Sequence, residues 1–79
     1  MSPTLLYSGP YRFFFNSREE PRRHVHVSTA NGTAKFWLEP LVALDSYHNL
    51  STKELRRIEQ LVKEHEDDFR EAWDRHFGQ

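Results

Sequence analysis

The segment "RRHVHVSTANGTAKFWLE", residues 22–39, sets two runs of alternating apolar and polar residues on either side of Asn31-Gly32. Period-two alternation marks half-buried strands, and an Asn-Gly pair between two such runs is the strongest short hairpin signal, because both residues tolerate the positive φ of a type I′ turn. With Asn31 and Gly32 as the turn, Ala30 faces Thr33, and the pairing puts Val25 opposite Leu38, Val27 opposite Phe36 and Thr29 opposite Ala34. Those six form one apolar face. The other face then carries His24 opposite Glu39, His26 opposite Trp37 and Ser28 opposite Lys35, since successive side chains of a strand point to opposite sides.

Working outward, "TLLYS" (4–8) and "YRFFFNS" (11–17) are aromatic-rich strand candidates separated by Gly9-Pro10, and they read as antiparallel neighbours. If Tyr11, Phe13 and Phe15 face the core, Arg12, Phe14 and Asn16 point the other way. The charged stretch "REEPRR" (18–23) is a loop, because Pro21 has no backbone donor and like-charged neighbours favour solvent. "LVALDSYHN" (41–49) reads either as a short edge strand or as a turn-rich connection.

Beyond it a helix start is clear. Ser51 and Glu54 form a capping box, flanked by Leu50 and Leu55 as a hydrophobic staple. From there Leu55, Ile58, Val62, His65, Phe69, Ala72 and His76 recur at alternating spacings of three and four, with Leu61, Trp73 and Phe77 broadening the stripe and Gly78 as terminator. A straight helix over 52–77 would be about 38 Å long, longer than so short a chain is wide. Either it breaks near "EHEDD" (64–68), with Asp67 or Asp68 capping a second helix, or its Phe69–Trp73–Phe77 end is buried by another copy or a partner.

The expectation is a single small α+β domain over residues 1–79: an antiparallel sheet of three or four strands from residue 3 to about 39, packed on one face by a C-terminal helical segment. The packing face should contain Phe13, Val25, Val27, Phe36, Leu38, Leu55, Ile58 and Val62. The exposed face should gather His24, His26, Lys35 and Trp37.

Composition narrows the classes. A chain of 79 residues supports one core, burying roughly 60% of its unfolded surface. It has no cysteine, so disulfides and thiolate metal sites are excluded and a reducing cytoplasm is the expected location. No apolar run approaches a membrane span, and "MSPTLLYSGPYRFFF" lacks the basic start and long apolar centre of a signal peptide. The net charge of −1 divides unevenly. Residues 1–40 hold Arg12, Arg18, Arg22, Arg23 and Lys35 against Glu19, Glu20 and Glu39, while the remainder has six Lys/Arg against nine Asp/Glu. Non-specific duplex DNA binding calls for a basic stripe and a high pI, so this balance fits a local anion site or a protein partner better.

Two chemistries suit the polar sheet face. Metal-independent RNA cleavage needs a base for the 2′-hydroxyl, an acid for the leaving oxygen and a cation for the phosphate; His24, His26, Lys35 and Arg12 supply those types, and Trp37 and Phe14 offer stacking surfaces. A metal site would instead use His24, His26 and Glu39, but an HxH pair with no further ligand motif is a weak signal, and no metal or other cofactor is expected. His48 reads as a solvent-facing turn residue, and His65 and His76 as packing residues of the helix stripe. Trp73 and Phe77 are candidate partner-binding residues because they end that stripe.

The order "PTLLYSG-YRFFFNS", "HVHV", "G-AKFWLEP", "S-KEL--IE" and "AW---F" resembles the small prokaryotic proteins grouped as domain-of-unknown-function family 4160, over essentially the whole chain. A proline commonly precedes the first histidine in that family, and here Arg23 stands in its place. The resemblance implies a stand-alone α+β domain, often encoded beside another small protein in arrangements like toxin–antitoxin modules. The expected function is accordingly an interaction protein of such a two-protein module, with a protein partner encoded nearby or a second copy, and no membrane association. The alternative is an RNA-cleaving or RNA-binding toxin that uses the His24/His26/Lys35 face.

Overall fold

The computed structural model describes residues 4–16 and 21–78. Five strands, β1 (Thr4–Ser8), β2 (Tyr11–Phe14), β3 (His24–Ser28), β4 (Thr33–Trp37) and β5 (Ala43–His48), precede two helices, α1 (Thr52–Glu64) and α2 (Glu66–Phe77). The strands pair in chain order as an antiparallel meander, β1-β2-β3-β4-β5. The sheet thus has one strand more than the three or four expected, because the ambiguous 41–49 segment supplies β5. Part of the 18–23 loop lies outside the described residues.

The core is the one expected on the sheet side. Phe13, Val25, Val27, Phe36, Leu38, Ile58 and Val62 are all buried, and Leu55 packs partly buried against them. Tyr11, Phe13 and Phe15 do alternate inward while Arg12, Phe14 and Asn16 are half-exposed. One face of the sheet is therefore covered by helices and the other is left free of them.

The hairpin register differs from expectation by two residues. His24 pairs with Trp37, Val25 with Phe36, His26 with Lys35, Val27 with Ala34 and Ser28 with Thr33. The turn is centred on Ala30-Asn31: Thr29 N–H donates to Gly32 O at 2.9 Å, and the Thr29 hydroxyl accepts from the N–H groups of Asn31 and Gly32, both at 3.0 Å. A side-chain oxygen thus satisfies the turn's donors, a role Ser and Thr play in tight turns. Gly32 is not at positive φ. It is glycine because a Cβ there would lie 2.3 Å from His48 O and 2.4 Å from Asn49 O, where the end of β5 crosses the hairpin. A slip of two leaves every side chain on its expected face but changes its cross-strand partner.

The capping box at Ser51 forms as read, with Glu54 N–H donating to Ser51 Oγ at 3.1 Å and Ser51 N–H to Glu54 Oε1 at 2.9 Å. The helical stripe then breaks within the 64–68 stretch, as one reading expects, with His65 rather than Asp67 or Asp68 as the N-cap residue of the second helix. His65 leaves helical geometry at ψ 14°, and its Nδ1 shares the Leu61 carbonyl with its own backbone N–H. The break resolves the length problem in a body whose longest dimension is 34 Å. It turns α2 back over the sheet, so that Phe69 meets Phe13 at 5.6 Å between ring centroids and Trp73 meets Phe15 edge-on at 5.2 Å. Trp73 is 1% exposed. The apolar helix end that would have needed a partner is covered within the chain. Glu66, Asp67 and Asp68 occupy the first turn of α2, where carboxylates complement the helix dipole, and Gly78 ends it in the left-handed conformation at φ 73°.

Candidate functional site

The helix-free face is a grid fixed by the pairing. One row across the strands is Arg12–Ser28–Thr33–His48, the next is Phe14–His26–Lys35–Ser46, and the third holds His24–Trp37–Ala43. In the middle row the Phe14 and His26 rings stack at 5.5 Å, and Asn16 Nδ2 lies 3.4 Å from His26 Nε2. Arg12 lies over the Phe14 ring at 4.4 Å while its Nε donates to Thr4 Oγ1 at 2.9 Å. Trp37 has two cations against its ring, Arg22 at 4.1 Å and Lys35 at 4.5 Å. Lys35 also reaches Asp45 at 3.8 Å. Over the β2–β5 part of this face is a concavity of about 360 Å³ whose walls include Phe14, Asn16, His26, Lys35, Ser46 and His48.

The two histidines of the expected site are not equivalent. His26 is half-exposed on the concavity. His24 was expected beside it on the exposed face and is instead 1% exposed, because α2 wraps over the start of β3. Its Nδ1 is 2.6 Å from Arg22 O, to which it donates as the protonated ring nitrogen, and its ring lies 4.9 Å from Trp73, 5.2 Å from His26 and 5.6 Å from Trp37. His26 does not face Trp37 but Lys35. Of the candidate groups, the structure brings together Arg12, Phe14, His26, Lys35 and Trp37. Trp73 lies in the core, and Phe77, partly buried, lies against its ring at 4.2 Å.

Glu39, the third member of the histidine–carboxylate set, is turned away. Arg23 Nη1 donates to Glu39 Oε1 at 2.8 Å, and Arg23 Nε donates to Asp74 Oδ1 at 2.9 Å. The hydrogen bond from Arg23 holds the Glu39 carboxyl below the ordinary carboxylate range, against a smaller opposing effect of desolvation. The same two partners, Glu39 first and Asp74 second, raise the Arg23 guanidinium above its ordinary value. Arg23 thereby ties the start of β3 to the end of β4 and to α2. Arg70 adds a second tie, its Nε donating to Leu38 O at 2.8 Å. No group of three or more His, Asp or Glu side chains is placed to hold a metal ion among the described residues.

The 41–49 segment, read as either an edge strand or a connection, is the edge strand β5, and what sequence reasoning missed is the apolar surface it leaves uncovered. All six residues of Ala43–His48 are exposed. Leu44 and Tyr47 lie on the helix side of the sheet, opposite Phe36 and Ala34, yet remain 41% and 55% exposed because the helices do not extend over them. Leu41, 75% exposed, precedes the strand, and a cleft of about 290 Å³ beside it is lined by Leu41, Val42, Lys63 and Glu66. Leu44 and Tyr47 share a face because the register shifts between them, leaving Asp45 as the extra residue of a bulge. Their odd spacing of three conceals this from any period-two reading.

The family model described as a domain of unknown function, DUF4160, matches residues 11–74. The chain belongs to the DUF4160 family. The match runs from β2 into α2, so this DUF4160 chain carries the helix-free face, the β5 edge and both Arg ties within the family's span. No curated protein and no solved structure matches it. No helix among the described residues is long and apolar enough to cross a membrane.

Proposed function

We propose that this protein is an interaction module of a two-protein, toxin–antitoxin-like system, and that it engages its partner protein through the β5 edge. The observation that carries this reading is the strand Ala43–His48, exposed along its whole length with Leu41, Leu44 and Tyr47 uncovered beside it. An edge strand presents unpaired backbone N–H and C=O groups to any extended segment that can pair with them. In strand addition the backbone supplies affinity and pockets for alternate side chains supply specificity. Here Leu44 and Tyr47 form the apolar side of such a dock, and the cleft at Leu41 and Val42 accepts a further side chain. The occupant is an extended segment of the protein encoded beside this one.

A nuclease centre with two histidines at the surface has weaker support, since only His26 of the pair is accessible and the ring of His24 packs against Trp73. The test of the interaction reading is co-expression with the product of the neighbouring gene, followed by co-purification and by scoring growth. A stable complex lost in Leu44→Lys and Tyr47→Asp, both on the exposed edge, is the expected result. A complex that survives both variants, or no complex at all, overturns it.

A further inference from the structure

The helix-free face carries a second set of groups that partner docking at the edge does not use. We infer that this face binds single-stranded nucleic acid, with bases stacking on the Phe14–His26 pair and on Trp37 and with phosphates held by Arg12, Arg22 and Lys35. Three observations converge on it.

The first is the arrangement of rings and cations. Each aromatic platform has a guanidinium over its face, Arg12 at Phe14 and Arg22 at Trp37, with Lys35 between the platforms. Unstacked bases are bound on aromatic faces and on Arg guanidinium planes alike, so each Arg extends its platform. From strand and residue spacings Phe14 and Trp37 stand about 12 Å apart, which suits two separate bases better than one.

The second is charge. Among the described residues the grid and Arg22 present Arg12, Arg22 and Lys35 together with His26 and His48. Two acids reach this set: Asp45, beside Lys35, and Glu39, whose carboxylate lies within the field of Arg22 and whose backbone carbonyl accepts from Arg22 Nε at 2.9 Å. The helices on the opposite side of the sheet carry eight Asp/Glu against Lys53, Arg56, Arg57, Lys63, Arg70 and Arg75, a net excess of two acids. The two sides therefore differ in sign, although the whole chain is near neutral, and a polyanion is directed to the sheet.

The third is shape. The concavity of about 360 Å³ opens beside the Phe14–His26 platform and Lys35, with Asn16, His26 and Ser46 as polar walls and with Trp37, Arg12 and Arg22 outside its lining, and volumes near 300 Å³ mark the lower end of small-ligand sites. That room accepts a single base and its sugar. A duplex keeps its bases stacked on one another and cannot use the platforms, so a single strand is the form recognised.

The experiment is fluorescence anisotropy of end-labelled oligouridine RNA and oligothymidine DNA of equal length, with a labelled duplex as control, titrated with the full chain across a salt series. Saturable binding of a single strand that weakens with salt and exceeds duplex binding is expected, and the tighter of the two strands identifies the source. Trp37→Leu should weaken binding at least about fivefold, the lower end for loss of a stacked base. Lys35→Gln should flatten the salt slope by about 0.7, and Asp45→Asn should tighten binding by releasing Lys35. If Trp37→Leu lowers the melting temperature, Phe14→Leu takes its place in the comparison. No anisotropy change at low salt, equal affinity for the duplex, or unchanged affinity in a folded platform variant would overturn the inference. Partner co-purification is a separate readout, so failure here leaves the edge reading intact.

Discussion

His24 and Trp73 lie with their ring centroids 4.9 Å apart, so the first residue of β3 is packed against the second C-terminal helix. The alternation that sends Val25 and Val27 into the core should leave His24 in solvent, and it does so for His26. His24 differs because it sits at the end of its strand, where α2 closes over the sheet. The two histidines should therefore behave oppositely when truncated. His24→Ala removes a buried ring and should cost at least about 2 kcal/mol, a fall in melting temperature of about 8 °C or more for a domain this size. His26→Ala should cost less than about 1 kcal/mol, the range of a lost surface ring contact. Thermal melts of the two variants check the contrast.

Trp73 contributes by packing. Its Nε1 is buried without a hydrogen-bond partner, as is His24 Nε2. Replacing the indole by another aromatic ring should thus sacrifice area and no hydrogen bond. Trp73→Ala should cost about 3–5 kcal/mol, and Trp73→Phe less than half of that. Denaturant unfolding of both variants gives the comparison. Equal losses would mean that the indole N–H is paired in solution.

Gly32 is held by close approach and not by its backbone angle. An added Cβ would lie 2.3–2.8 Å from the backbone of His48 and Asn49, atoms that cannot step aside without moving the end of β5. Gly32→Ala should destabilise the fold by about 1–3 kcal/mol, as overpacking does. It should also speed amide exchange selectively in β4 and β5. Uniform exchange across the sheet would place the defect elsewhere.

Much of this architecture can be read from the residues. The capping box at Ser51 and Glu54 rests on local chemistry, and local chemistry is visible in sequence; Ser51→Ala should cost about 1 kcal/mol. The assignment of faces survived a two-residue error in the hairpin because parity alone decides it. Three things were hidden, each for a physical reason. The Thr29 hydroxyl captures the turn's N–H groups and moves the turn, which no periodicity reports. The β5 bulge at Asp45 puts Leu44 and Tyr47 on one face at an odd spacing. A helix break is one reading of residues 64–68, but its position at His65 is hidden, because that side chain competes for the Leu61 carbonyl in a stretch whose apolar repeat continues without interruption.

The Arg23–Glu39 pair gives the fold a defined acid dependence. The Glu39 carboxyl titrates lower in the folded chain than in the unfolded one, chiefly through its hydrogen bond from Arg23. Its contribution is therefore present above the unfolded carboxylate pKa of about 4.3 and is lost as pH falls through the lower folded value. Melting temperatures of the native chain and of Glu39→Gln should differ at neutral pH and converge in acid. A gap that widens as pH falls would contradict the direction.

The β5 edge carries the functional reading, and backbone amide chemical-shift mapping addresses it residue by residue. The isotopically labelled chain is titrated with the protein encoded beside it. Perturbations concentrated in residues 41–48, with β1 and the exposed side of α2 unchanged, are the expected result. Perturbations centred on α2, or on the Phe14–His26–Trp37 face with β5 silent, would contradict docking at the edge.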